Sequence, residues 1–432
     1  MNEIIKIEQK NGIETMIFPK PKIVSFREKV NGIKKSTYLT HSLYYHPAKF
    51  IPQIVRFCLD EYTKKGGVVL DPFAGSGTMG VEAATQGFDS YMLDINPLLD
   101  FFYPLKIPTF SKEEWEKAYS ESKEFLKEVI HREPKIVKKI NDNIDYWYPQ
   151  ELYEFFCKVW TNYHELKDKK NKISVNVVAL ALFRISKYYS YAEHSMPKLF
   201  ISKRKRALIE KKLKEDDLFG LIEKMGFAIL KDVKKSVDTL IELDGKLKHT
   251  KYFAGVDSSD FDFSKIPELD CIITSPPYLQ AQEYIRTFKL EMMWLGIPQD
   301  KIKEYMSKEI PFREAPSKIE GDYINKIREE IGRKDLLKLY DSYFWFTIKA
   351  LENASKRLVK GGKLCVLIGN PKMKGIEVEI WKVIYEYFVD KLHFKLVDLF
   401  DDKIVYRKLF TGRNNRNPEG MKSEFLLVLE KK

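Results

Sequence analysis

The five residues Thr274-Ser275-Pro276-Pro277-Tyr278 bring together groups that could do chemistry. The run before them, Leu269-Asp270-Cys271-Ile272-Ile273, reads as a buried strand of a parallel sheet. Two prolines stop that strand, since neither can donate to a ladder and the first restricts the residue ahead of it. What remains is a stiff loop at the carboxyl end of a strand, where open α/β sheets hold their ligands. It offers a hydroxyl (Ser275), a carbonyl released from the sheet (Pro276) and an aromatic face (Tyr278). Such groups can grip a planar base that carries an exocyclic amine.

A second constellation lies some distance upstream, in Val68-Val69-Leu70-Asp71-Pro72-Phe73-Ala74-Gly75-Ser76-Gly77-Thr78. A hydrophobic strand ends in an acid, passes through a glycine turn and opens a helix whose Gly80, Ala83 and Ala84 allow close packing. The glycines let backbone approach a ligand without a Cβ in the way. The next strand, Ser90-Tyr91-Met92-Leu93, ends at Asp94, where a carboxylate can accept both ribose hydroxyls of an adenosine group. Gly75-x-Gly77-x-x-Gly80 also matches the dinucleotide-binding fingerprint. There, however, the glycines hold a pyrophosphate, and Asp71 just before them would repel it. An acid at that point suits a cationic ligand. No Gly-Lys-Ser/Thr follows, which excludes a phosphate-binding loop of that type.

Ser275-Pro276-Pro277-Tyr278 resembles the catalytic motif of the amino-methylating DNA methyltransferases, and the block from Asp71 to Thr78 resembles their S-adenosylmethionine (AdoMet) loop nearly letter for letter. Looser similarities cover the stretch from Thr40 to Pro52, Gly255-x-Asp257, and Tyr284 to Glu291. The resemblance implies an α/β fold: a doubly wound, Rossmann-like methyltransferase sheet of seven strands with the last pair antiparallel. It implies AdoMet as cofactor, held by Asp71, Phe73, Gly75, Gly77, Thr78, Asp94 and Asp257. Ser275, Pro276, Pro277 and Tyr278 would hold the target base. The partner would be double-stranded DNA, methylated site-specifically as in a restriction-modification system, and whether a cognate restriction endonuclease accompanies the chain is left open. Serine at the first motif position is more typical of the cytosine-N4 enzymes and aspartate of the adenine-N6 ones, although the same loop can serve either amine.

An exocyclic amine is a weak nucleophile because its lone pair is delocalised into the ring. Acceptors aimed at both N–H protons localise that pair, so positioning supplies much of the acceleration. Cytosine C5 methylation instead needs a cysteine nucleophile, usually in a Pro-Cys pair, and this chain has none. The amine is inaccessible within a duplex, so the target base must be flipped out.

Composition fits this reading. The chain has 432 residues, with 74 Lys+Arg against 62 Asp+Glu, a net charge of +12 that suits a polyanionic partner. Its four cysteines, Cys58, Cys157, Cys271 and Cys365, form no C-x-x-C pair, and no metal is expected. No stretch approaches membrane-spanning length and no signal peptide opens the chain, so a cytoplasmic protein without a membrane partner is expected. The oligomeric state is left open.

The elements that must position these residues divide as follows. Residues 1–40 carry Asn11-Gly12 and Asn31-Gly32 between semi-alternating runs, two hairpin signals in a small N-terminal β appendage. Residues 41–104 hold the AdoMet-binding half. Residues 105–249 turn to helical periodicity, beginning with the capping box Ser111-x-x-Glu114, and read as a large helical insertion for DNA recognition. Residues 250–432 supply the catalytic half, where Lys360-Gly361-Gly362 reads as a helix C-cap. Candidate phosphate contacts are Lys203, Arg204, Lys205 and Arg206, near the aromatic run Tyr188-Tyr189-Ser190-Tyr191, together with Arg286 and Arg413. An RNA base methyltransferase is a weaker alternative, since the short span ahead of Val68 leaves little room for an ordinary RNA-binding module. A DNA-binding module without activity is the other.

Overall fold

The computed structural model describes residues 6–10, 13–30, 32–33, 35–46, 50–193, 199–243, 247–279, 283–310, 312–403 and 423–432. In chain order the strands are β1 (Lys6–Lys10), β2 (Ile13–Ile17), β3 (Lys22–Val24), β4 (Val68–Asp71), β5 (Asp89–Asp94), β6 (Thr250–Ala254), β7 (Leu269–Thr274), β8 (Leu358–Gly369), β9 (Lys372–Met373), β10 (Ile376–Glu377), β11 (Lys395–Lys403) and β12 (Ser423–Glu430). Eight of them form one sheet in the order β3-β11-β12-β8-β7-β4-β5-β6. Every pairing is parallel except those of β12, which runs antiparallel to both β8 and β11.

Alternation along the strands builds two cores, one on each face. Val69, Cys271, Ile273, Cys365 and Leu367 point to one side, and Leu70, Ile272, Leu364 and Val366 to the other. The first face is covered by helices Pro52–Tyr62 and Thr78–Gln86, and the second by Asp322–Ile331, Lys334–Ser355 and Ile380–Glu386. Burial on both faces is what makes the central strands read as continuous apolar runs.

Four long helices fill most of the span 105–249: Lys112–His131, Gln150–Leu166, Lys172–Tyr188 and Leu218–Ile241. Ser111 caps the first as expected, with Glu114 N–H donating to its hydroxyl at 3.2 Å and its own N–H donating to Glu114 at 2.7 Å. Their core, including Trp115, Phe125, Trp160, Tyr163 and Phe183, runs without a break into the first face of the sheet. Trp160 stacks on Trp294, which follows β7 in the chain, at 5.9 Å and 7°.

Three expectations need revision. β1 and β2 pair with Lys10 opposite Ile13, as the first Asn-Gly implies, but no strand among the described residues follows the second. β3 instead adds an eighth strand, parallel to β11, so part of the N-terminal segment belongs to the main sheet. Gly361-Gly362 does not cap a helix. The helix ends at Ser355, and both glycines lie inside β8, where Gly361 has φ +80° and pairing with β7 shifts register.

Candidate active site

β4 and β7 are parallel neighbours, with Leu70 opposite Ile272, so their carboxyl ends emerge side by side. One hydrogen bond joins the last residues of the two strands: Thr274 Oγ1 donates to Asp71 Oδ1 at 2.6 Å. Phe73 N–H donates to the same oxygen at 3.0 Å. Asp71 is buried, and burial pushes its carboxyl up to about 7, although both hydrogen bonds pull the other way. The glycine loop after β4 and the Ser-Pro-Pro-Tyr loop after β7 therefore share an anchor.

The glycine loop is shaped from several directions. Ala74 N–H donates to Leu93 O at 2.9 Å and Gly75 N–H to Asp94 Oδ2 at 2.7 Å. Tyr103 Oη donates to Gly75 O at 3.0 Å, and the buried Lys106 ammonium donates to Ser76 O. Gly75 and Gly77 sit at φ +48° and +75°. A Cβ on Gly77 would lie 2.7 Å from Tyr103 Cε1, and one on Gly75 would lie 3.2 Å from His46 Cε1. Gly77 opens helix Thr78–Gln86, where Thr78 Oγ1 meets Ser76 Oγ at 3.0 Å.

Asp94 ends β5. Its Oδ1 also accepts Asn96 N–H at 2.9 Å, so backbone N–H groups hold both carboxylate oxygens. Burial raises its carboxyl above the usual range. Asp257, beyond the end of β6, ion-pairs with Arg313 Nη2 at 2.6 Å and accepts Ser259 N–H and Oγ at 2.9 and 2.7 Å. It is thus tied to a segment the sequence reading did not connect with it. The Arg313 guanidinium lies 3.7 Å from the Phe346 ring centroid.

In the catalytic loop, Ser275 is half-buried and Tyr278 donates its hydroxyl to Glu424 on β12. Tyr278 is thereby held across the sheet from β4. Cys271 and Cys365 are fully buried with Sγ atoms 3.7 Å apart, and burial raises both thiols well above their ordinary range. Neither is placed as a nucleophile.

Several residues of the site were given no individual role in the sequence reading, although His46 and Tyr284 lie in stretches it singled out. Tyr284 stacks on His46 at 5.8 Å and 16°. Glu309 accepts Ile285 N–H at 2.9 Å, and burial with the nearby Glu283 and Asp94 carboxylates pushes it up to about 8. Lys106 and Glu424 are buried charges whose partners lie far away in sequence. Only Lys106, a lone cation closing the apolar run Phe101-Phe102-Tyr103-Pro104-Leu105, could have been singled out.

The candidate DNA contacts are not one surface. Lys205 is turned inward, 3% exposed, donating to Tyr188 O at 2.7 Å, and burial lowers its ammonium to about 8. That corrects its expected role, because helix Lys203–Lys212 places it on the same inner face as buried Ile209. Arg204 pairs with Glu193 at 2.8 Å and Arg206 with Glu210 at 3.3 Å, both largely exposed, and Lys203 is exposed. Arg286 pairs with Glu283 at 3.0 Å. Arg413 lies outside the described residues. Among the described residues no group of His, Cys, Asp or Glu could hold a metal ion, and no helix is long and apolar enough to cross a membrane.

A family model described as DNA methylase matches residues 5–99, which include the glycine loop and Asp94. The chain is 27% identical over 327 residues to the Type II methyltransferase M.BsoBI of Geobacillus stearothermophilus, covering 70% of this chain and 61% of that protein. It is 26% identical over 200 residues to the Type II methyltransferase M.MjaII of Methanocaldococcus jannaschii, covering 44% and 32%. The chain thus spans less than two thirds of the length of these relatives. Among solved structures, TrmN from Thermus thermophilus overlaps 89% of this chain and 50% of its own at 10% identity and TM-score 0.30. AdoMet is the methyl donor of this family. The carboxylates of Asp71 and Asp94 and the bare glycine turn fit a cationic adenosine compound. With both loops at adjoining strand ends, the chain is similar to the DNA methyltransferases that act on N4 of cytosine or N6 of adenine.

Proposed function

We propose that this chain is a Type II DNA methyltransferase that methylates N4 of a cytosine flipped out of duplex DNA, as the modification partner of an endonuclease. The observation that carries this reading is the Thr274–Asp71 hydrogen bond, which ties the two loops together at 2.6 Å. AdoMet supplies the methyl group from its sulfonium. Asp71 offers negative charge beside the glycine turn, Asp94 offers its carboxylate to the ribose hydroxyls, and Asp257 keeps a lone pair on Oδ2 beyond its bond to Arg313.

Ser275 Oγ and the Pro276 carbonyl accept the two amine protons, which localises the nitrogen lone pair. Tyr278 stacks on the base, and its bond to Glu424 keeps the ring from rotating away. The developing ammonium is acidic enough to lose its proton without a strong base. A serine rather than an aspartate at position 275 favours cytosine over adenine. Removing the hydroxyl tests the assignment: Ser275→Ala should bind AdoMet as the parent does and lose methyl transfer by about 100-fold or more. Transfer at the parental rate would remove Ser275 from the chemistry.

A further inference from the structure

Away from the strand ends, a part-buried lysine joins the helical region to the segment that follows β7. Lys187, in the last turn of helix Lys172–Tyr188, donates to Thr287 O and to Glu291 Oε1, both at 2.8 Å. Thr287 ends helix Tyr284–Thr287, and Glu291 lies on helix Lys289–Trp294; these are the first two helices after the catalytic loop. The pair is desolvated, with side chains 16% and 1% exposed. Tyr44 donates to the same Glu291 oxygen at 2.6 Å while stacked on Phe102 at 4.3 Å. Among the described residues the other Glu291 oxygen, which is buried, has no hydrogen-bond partner.

Each side of this junction leads somewhere. Toward the cofactor loop, Tyr284 and Phe288 lie 5.8 and 5.9 Å from His46, whose ring faces Gly75. Toward the helical region, Lys205 and Lys212 sit 4.8 and 5.5 Å from the Tyr188 ring, and Arg206 sits 4.9 Å from that of Tyr191. The basic helix Lys203–Lys212 therefore grips the end of the helix whose Lys187 grips the catalytic half.

A buried ion pair is a poor device for stability, because apolar side chains of similar volume often do as well. What its directional bonds add is a single register between the elements they join. We propose that Lys187 is a positioning residue that couples the seating of the basic helix on DNA to the placement of the catalytic loop and the His46 wall of the cofactor site. It rests on the DNA methyltransferase reading and acts through Thr287 and Glu291.

The test uses the full chain with Lys187→Met, Lys187→Arg and the double variant Lys187→Met/Glu291→Met. The probes are AdoMet and sheared DNA from a host without methylases. Lys187→Met should keep each separate dissociation constant within about 3-fold, as for changes remote from a ligand. Its single-turnover methyl transfer should fall about 100-fold, the scale of a displacement near 1 Å at the reacting groups. Lys187→Arg should restore most of the rate. The double variant removes both buried charges, so it should regain the parental melting midpoint yet remain slow. A parental rate in Lys187→Met, or recovery of rate together with midpoint in the double variant, overturns the proposal.

A second readout needs no methyl transfer. Saturating DNA should change the AdoMet dissociation constant of the parent, and Lys187→Met should abolish that change. If the parent shows the coupling and the variant loses it while neither methylates DNA, Lys187 stands and the methyltransferase reading falls. A coupling that survives in Lys187→Met, or that the parent lacks, overturns the proposal whatever the activity.

Discussion

Adding one methyl group to Gly77 probes how tightly the cofactor loop is shaped. Gly77 has φ +75°, and holding alanine there costs about 1–2 kcal/mol. The new Cβ would also lie 2.7 Å from Cε1 and 3.1 Å from Cδ1 of Tyr103. That ring is 1% exposed and its hydroxyl donates to Gly75 O at 3.0 Å, so it can move aside only by giving up a bond worth about 1 kcal/mol. Together these reach about 2–3 kcal/mol, charged to the loop geometry that the cofactor needs. At 1.4 kcal/mol per factor of ten, Gly77→Ala should weaken AdoMet about 30- to 150-fold. The control stands at the other end of the same helix, where Gly87 has φ +86° and open space around its Cβ position. Gly87→Ala should lower the melting midpoint through backbone strain alone and leave AdoMet affinity unchanged. Calorimetric titration and thermal melting of both variants decide the matter. Parental affinity in Gly77→Ala, or equal losses of affinity in both, would refute the reasoning.

Asp71 should report cofactor binding through its proton. Its folded value of about 7 lies above an unfolded value of about 3.9, so its contribution to stability is fully present below about pH 4 and is lost as pH rises through 7. At pH 7 about half the molecules hold this proton, and a cationic ligand should expel about 0.5 of a proton on binding. Titrations in buffers of different ionisation enthalpy should show that release in the parent and its loss in Asp71→Asn, which still accepts from Phe73 and Thr274; equal release in both would contradict it. For the Asp257–Arg313 pair, removing either partner should weaken AdoMet by about 1–2 kcal/mol, discounted for partial exposure, and removing both should cost no more than removing Asp257 alone. Wild-type affinity in Arg313→Ala would separate the ion pair from the cofactor site.

The two reactive loops were legible because each is spelled by adjacent residues: an acid before a glycine turn, and a hydroxyl before two prolines. The central strands were legible because burial on both faces leaves mostly apolar residues in them. Lys205 was misread because counting charges along a run ignores which face of the helix each occupies, and its cycle with Ile209 turns it inward. β3 escaped notice because its three residues, Lys22-Ile23-Val24, are too short to show a period. Glu309 and Glu424 are buried charges and Lys187 a part-buried one, and their meaning lies in partners distant in sequence; Lys187 and Glu291 are 104 residues apart. No local pattern announces such a pair. The double glycine at 361–362 was ambiguous for a physical reason: a positive φ serves a helix cap and a bent strand equally well.

The central claim is a transfer of methyl from AdoMet to an exocyclic base amine of DNA. Incubating the full chain with isotopically labelled AdoMet and unmethylated duplex DNA, then digesting the DNA to nucleosides and separating them by mass, tests it directly. The account predicts label in N4-methylcytosine, absent with Ser275→Ala. Label in 5-methylcytosine, or label confined to RNA offered in parallel, would contradict it.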